Sequence, residues 1–257
     1  MAPGGGHVTD YDRVADRFDI RYAHYSYAGV RDTLLNFLGP TPAAVLEVGC
    51  GTGHWLDAVG AHASFLAGVE PSSAMLTRAR LAAPRARLVR ARAEDLPWRD
   101  GTFDRIFCVN ALHHFSDRDR FFAEARRILR PGGGLLTIGE DPHGERDEWW
   151  VYQYFEETRA LDRARFAPVR TLRGEMTRAG FAWSESLEAD HIEVVHRASD
   201  ALAGGIVDAS FTSQLSLLSA EEFNRGVARV READAATGGE LNLVADLWLY
   251  ATIGWVS

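Results

Sequence analysis

The sequence predicts an α/β fold built on a mostly parallel sheet. Short apolar runs alternate with helix-length segments from Ala44 to Ile138, the rhythm of βαβ units. The first of these runs passes directly into a helix through three glycines, in VLEVGCGTGHW (Val45–Trp55). At 257 residues the chain is long enough for one such domain with insertions.

Taken in order, residues 1–10 are Gly-rich and expected to be disordered, and residues 11–257 to form a single domain. Tyr11 to Leu38 reads as helix, with Val14, Phe18, Leu34, Leu35 and Leu38 as its apolar positions and Gly39-Pro40 as its stop. Strand runs follow at Ala44–Val48, Phe65–Glu70, Arg87–Arg90, Phe103–Val109 and Leu135–Ile138. Between them lie helices opening at His54, at Ser72 and at Ser116, the last with Ser116 as N-cap and Pro131 with its three glycines as terminator. After Glu140 the rhythm breaks. Glu145–Phe166 reads as an aromatic-rich helical insertion, followed by a helix from Thr171 to Ala179 and a long strand from Phe181 to Val195. A second insertion contains a helix entered at Ser219, with Glu222 three positions on as a capping box. Leu243–Val256 is the terminal strand.

Charge and cysteine usage exclude several classes of function. The 28 basic and 36 acidic residues leave a net charge of −8, which argues against nucleic acid as the main partner. The dense arginines Arg78, Arg80, Arg85, Arg87, Arg90 and Arg92 fit a solvated helix face and the strand after it. Cys50 and Cys108 have neither metal-ligand nor disulfide spacing, so no metal is expected and a reducing cytoplasm is the expected compartment. MAPGGGHVTD has no signal-peptide pattern, and no apolar run approaches the roughly 20 residues of a membrane span.

A strand that feeds a helix through a glycine turn sets bare N–H groups and a positive helix end beside a ligand. A dinucleotide fingerprint, G-x-G-x-x-G, would need its third glycine where His54 stands. The glycines are instead Gly49, Gly51 and Gly53, preceded by Glu47. E-x-G-x-G-x-G is the first motif of class I S-adenosylmethionine-dependent methyltransferases, and EVGCGTG matches it without a gap. GVEPSSAML, ARAEDLPWRDGTFD and LRPGGGLLTIGE follow in the family's order. The chain resembles the small-molecule branch of that family (methyltransferase type 11), related to the ubiquinone and menaquinone biosynthesis enzymes. The resemblance is strong over Ala44–Asp141 and extends beyond as topology only.

The resemblance implies a Rossmann-like seven-stranded sheet with helices on both faces. Its cofactor half would be residues 40–141, and helical insertions at about 145–168 and 197–240, after strands five and six, would form a lid over the substrate. It implies S-adenosyl-L-methionine as cofactor and S-adenosyl-L-homocysteine as product. Glu47, Gly49, Gly51 and Gly53 would form the cradle, and Glu70 would bind both ribose hydroxyls, at the expected distance of about twenty residues past the turn. Pro71 and Met75 would approach the adenine, as would Ala93 with Glu94, while Asp95 either shares that edge or orders the loop. Asn110 would sit beside the methionine moiety, and Tyr11 or Arg21 would reach the cofactor carboxylate.

Methyl transfer from a sulfonium is an in-line displacement for which the protein aligns the reactants and, for a hydroxyl acceptor, removes a proton. NALHHF lies after the fourth strand, where open α/β sheets present residues to the ligand crevice. His113 and His114 are therefore the candidate bases, and the resemblance to small-molecule methyltransferases implies a carboxylate partner after the fifth strand, a place that Glu140 and Asp141 occupy. Proximity alone, with the histidines packing or capping, is the competing account. EWWVYQYF, residues 148–155, holds five aromatics in eight and suits the roof of an apolar pocket, core packing or a homodimer contact. The expected activity is methylation of a hydroxyl, or less readily an amine or carbon, of a small aromatic or hydrophobic metabolite, in secondary metabolism. A cyclase or lyase that binds the same cofactor without transferring its methyl group is the alternative. A nicotinamide oxidoreductase is opposed by His54, and a binding module without turnover by the clustered histidines.

Overall fold

The computed structural model describes residues 19–41 and 43–257. The disordered stretch expected for residues 1–10, and Tyr11, Val14 and Phe18, lie outside them. The expected first helix is broken within its described part: α1 (Ile20–His24) ends where Tyr25 turns extended, and α2 (Ala28–Leu38) starts afresh. Leu34 and Leu38 are buried as the periodicity requires, with Phe37 beside them.

Next come β1 (Ala43–Val48), α3 (His54–Val59), β2 (Ala63–Val69), α4 (Ser73–Ala82), β3 (Arg87–Val89), β4 (Phe103–Val109), α5 (Arg118–Ile128) and β5 (Leu129–Glu140). The N-cap of α5 is Asp117, which accepts from Arg120 N, and not Ser116. Strand β5 starts six residues earlier than expected: Leu129 pairs with Phe103, a register shift follows, and Gly134 to Glu140 align with β4 on one side and with the last strand on the other. The triple glycine thus lies inside the strand, not between helix and strand. The remaining elements are β6 (Glu148–Trp149), α6 (Trp150–Tyr154), α7 (Glu157–Arg165), α8 (Val169–Arg178), β7 (Trp183–Arg197), α9 (Ala198–Ala203), α10 (Ser213–Ser216), α11 (Ala220–Ala236) and β8 (Asn242–Trp255).

Strands β3, β2, β1, β4 and β5 lie side by side in parallel, and β8 joins β5 antiparallel; β6 and β7 both pair with β8. Among the described residues the sheet has eight strands where seven were expected. The extra one is β6, too short for an apolar pattern to reveal, whose Glu148 and Trp149 pair with Asp246 and Ala245. All six residues of β1 are buried, as for a strand covered on both faces. The order reverses between β1 and β4, so their C-terminal ends flank the crevice where such sheets bind ligands.

Contacts divide the chain into two compact units. The larger holds residues 27–143, 166–191 and 248–257. Its core joins Leu46, Ile106 and Leu135 from the sheet to Phe121, Phe122 and Ile128 from α5 and Met176 from α8.

The smaller unit holds 144–165, 192–247 and, among the described residues, 19–26. Trp150, Phe155, Leu215 and Val230 are fully or almost fully buried in it. Ser219 and Glu222 form the expected capping box at the start of α11. Asp162 is fully buried there, accepting from the Tyr152 hydroxyl at 2.7 Å and from Arg165 at 2.5 Å. Burial raises its pKa despite those partners.

Two helical glycines give opposite expectations. A Cβ on Gly226, in α11, would lie 2.2 Å from Cδ1 of the buried Phe155, whereas one on Gly174, in α8, would meet nothing closer than Arg178 at 3.8 Å. Gly226→Ala should destabilise the protein by about 1–3 kcal/mol through overpacking, while Gly174→Ala should stabilise it by about 0.5–1 kcal/mol through chain entropy and helix propensity. Chemical denaturation of the two variants checks both signs.

Candidate functional site

Strand β1 ends at Val48, and the chain turns through Gly49, Gly51 and Gly53, with φ of 75°, 50° and 87°, before α3 begins at His54. At two of these positions glycine is also required by contact. A Cβ on Gly49 would stand 2.5 Å from the Ala111 Cβ, and one on Gly53 would stand 3.0 Å from the Ala79 Cα. The turn is tied to β2 by Gly49 N and Cys50 N, both donating to Val69 O. The free end of the turn meets Glu70: Gly51 N donates to Oε2 at 3.2 Å and Ser72 N to Oε1 at 2.9 Å. Glu70 is thus fixed beside the glycines at the end of β2. Ser72 in turn caps α4 by accepting from Met75 N. Met75 is almost fully buried, whereas Pro71 is exposed and its carbonyl accepts from Arg90 Nε.

Glu47 and Asn110 extend this site on neighbouring strands. Glu47 is buried at the end of β1, and burial, reinforced by the charge of Glu70, lifts its carboxyl pKa well above the usual 4.5. Its Oε2 has no hydrogen-bond partner. Asn110, just past β4, is held at φ 48° by its N–H to Ile138 O, and its Oδ1 is likewise buried without a partner. An unsatisfied buried acceptor costs about 1–3 kcal/mol, so two of them beside a bare glycine turn mark a place shaped for a ligand that brings donors or positive charge. S-adenosylmethionine, with ribose hydroxyls, an ammonium and a sulfonium, fits that donor set.

The sign of the Glu47 effect gives a pH test. A carboxyl whose pKa is raised on folding gives full stability below its unfolded value, and loses it as the pH climbs toward the folded one. Glu47→Gln keeps an acceptor oxygen for the Leu56 N–H and removes the buried charge. The ligand-free variant should melt higher than the parent protein at neutral pH, with the difference closing below about pH 4.5. Melting curves across that range check it.

The loop after β3 departs from what its sequence suggests. Ala93 is buried, but the Glu94 carboxylate faces the start of α5: Oε1 accepts from Ser116 N and Oγ, each at 2.7 Å, and from Asp117 N at 3.3 Å. Burial alone would raise its pKa, and these bonds outweigh it, holding the carboxyl below its usual value. Glu94 therefore orders the loop, and Asp95 is the exposed acid.

A cleft of about 30 Å³ opens beside the C-terminal ends of β4 and β5. His113, Glu140, Phe166 and Tyr250 line it over an apolar floor that includes Leu112, Ile138 and Leu172. His113 lies face to face with Phe166, ring centroids 3.9 Å and planes 16° apart. His114 touches the His113 ring at 3.9 Å and does not line the cleft. The cleft wall continues toward Asn110 through Gly139, whose Cβ position is 3.9 Å from Asn110 Oδ1. Asp141 points elsewhere, its two oxygens accepting from His143 N and Val169 N.

Phe166 and Tyr250 had no signal in the sequence. Tyr250 arrives only because β8 pairs Tyr250 with Gly139, and Phe166 because the chain returns to the sheet after α7. Tyr11 is outside the described residues. Arg21 belongs to α1 of the smaller unit, where it donates to the Tyr22 hydroxyl at 3.0 Å.

The family profile described as "Methyltransferase domain" matches residues 46–137. The chain is similar to a malonyl-[acyl-carrier protein] O-methyltransferase of Geobacter sulfurreducens, 31% identical over 72% of this chain and 76% of that protein. It is also similar to phthiotriol/phenolphthiotriol dimycocerosates methyltransferase 1 of Mycobacterium ulcerans, 32% identical over 57% of this chain, and spans about half (48%) of that relative's length. The YcgJ protein of Bacillus subtilis shares the fold, with a TM-score of 0.64 at 18% identity over 90% of this chain and 99% of its own. Both sequence relatives are methyltransferases by name and lend the cyclase or lyase alternative no support. No helix among the described residues is long and apolar enough to cross a membrane. With the glycine turn, Glu70 and the parallel sheet in their places, the chain belongs to the class I S-adenosylmethionine-dependent methyltransferase family.

Proposed function

We propose that this protein transfers a methyl group from S-adenosylmethionine to a hydroxyl of a small aromatic or hydrophobic metabolite, with His113 as the base. The observation that carries the reading is the placing of His113 and Glu140 in one apolar-floored cleft whose Gly139 wall leads to Asn110.

The bound cofactor supplies an electrophilic methyl group on a sulfonium. The chain's own residues do the rest. Glu70 accepts from the ribose hydroxyls, and the glycine turn lets the nucleoside approach the backbone. Glu47 and Asn110 face the donor-bearing methionine end. Ala93 presents its backbone to the adenine edge, with Asp95 as the neighbouring acid and Met75 and Pro71 on the apolar side. His113 takes the proton that leaves the acceptor hydroxyl as the methyl carbon passes from the sulfonium sulfur to the oxygen, with S-adenosylhomocysteine as the leaving group. Glu140 stabilises the charged imidazole, the role that the sequence left open between Glu140 and Asp141. The apolar floor of Leu112, Ile138 and Leu172 excludes water and favours a hydrophobic acceptor.

Incubating the protein with S-adenosylmethionine and a panel of phenols, enols, hydroxy acids and amines, read by mass, tests this. A methylated hydroxyl product is the expected result. Methylation of amines alone would replace the oxygen reading, since a neutral amine needs no base.

A further inference from the structure

The turn that follows β5 grips a distant segment at two points. Asp141 Oδ2 accepts from Val169 N at 3.0 Å, while Oδ1 accepts from His143 N at 3.1 Å and shapes the turn itself. The His143 ring makes the second link, Nε2 to the carbonyl oxygen of Phe166 at 2.9 Å. A carbonyl only accepts, so this contact requires the proton on Nε2. The segment pinned in this way carries the aromatic ring that lies flat against His113. With Phe166 on one face and His114 at 3.9 Å and 52°, the His113 imidazole cannot rotate without opening the stack. Glu140, one residue before Asp141, stands in the same cleft.

We propose that Asp141 and His143 are positioning residues that clamp Phe166 against His113 and so present its imidazole to the acceptor in one orientation. The proposal rests on His113 being the base, and it moves Asp141 from a partner of that base to a support two contacts away. The clamp acts on turnover and not on cofactor affinity, because none of its members belongs to the glycine turn or to Glu70.

Nuclear magnetic resonance of the whole protein reads the clamp without turnover. The stacked Phe166 ring shifts the His113 ring hydrogens upfield by its ring current. In His143→Ala these signals should return toward unstacked values, with kcat lower by roughly two- to tenfold, the worth of one hydrogen bond, and the S-adenosylmethionine Kd unchanged. Phe166→Leu should do the same, and Phe166→Tyr, which keeps an aromatic ring, should keep the upfield shift. The double variant His143→Ala/Phe166→Leu should be no slower than Phe166→Leu alone. Persistence of the upfield shift in His143→Ala, or losses that simply add in the double variant, would overturn the clamp. A lost shift with full turnover would overturn its role in positioning. Full turnover in His113→Ala would instead remove the base assignment, and with it the functional half of this proposal, while the spectra still decide whether the clamp exists.

Discussion

Glu70→Ala is expected to weaken S-adenosylmethionine binding by about 100-fold or more while the protein stays folded. A hydrogen bond to a charged group is worth about 1.5–3 kcal/mol, so the loss of two ribose contacts amounts to at least about 3 kcal/mol, or two decades in Kd. Gly51 N, in the middle of the glycine turn, and Ser72 N, at the cap of α4, hold the carboxylate in place. Its removal also takes away one of the two causes that lift the Glu47 pKa. The penalty to the fold is two N–H groups left without their acceptor, about 1–3 kcal/mol each at most. Calorimetry gives the affinity and circular dichroism the melting point. Glu70→Gln, which keeps one acceptor oxygen, should fall between the two. Unchanged affinity in Glu70→Ala would remove the ribose assignment.

His113→Ala carries the second large effect. A positioned general base contributes roughly 10²–10⁴ in rate, so kcat on a hydroxyl acceptor should fall by that factor with the cofactor Kd intact. His114 touches His113 but does not line the cleft. His114→Ala should therefore cost far less, through loosened packing only. On an acceptor whose hydroxyl is already ionised at the assay pH, His113→Ala should lose little. Equal losses in the two histidine variants would contradict the assignment of His113, and full activity in both would leave proximity as the whole mechanism.

The parts of the site that were legible in the sequence are those made by short, local chemistry. EVGCGTG is contiguous, and glycine is the residue that its positive φ values and its contacts with Ala111 and Ala79 require. Glu70 is legible because the β2 run ends on an acid at a fixed distance from the turn. The direction of the Glu94 carboxylate was not legible, because its partners, Ser116 and Asp117, are more than twenty residues away, and nothing in AEDLP tells which acid turns inward. Asp141 looked like a partner for the histidines because it follows β5; its two backbone donors depend on how the turn folds back on Val169. The cleft itself needs Phe166 and Tyr250, brought in by chain return and by antiparallel pairing with β8, and neither leaves a periodic trace. In the fold, the five parallel strands followed from apolar runs, while β6 was too short to see and the break at Tyr25 interrupts what reads as one helix.

The most direct test is a calorimetric titration of the purified protein with S-adenosylmethionine, S-adenosylhomocysteine and NAD side by side. Saturable one-to-one binding of both sulfur nucleosides, lost in Glu70→Ala, and no heat from NAD is the result expected from Gly49, Gly51, Gly53 and Glu70 as they stand. Binding of NAD with neither sulfur nucleoside bound would contradict the cofactor site and every role assigned around it.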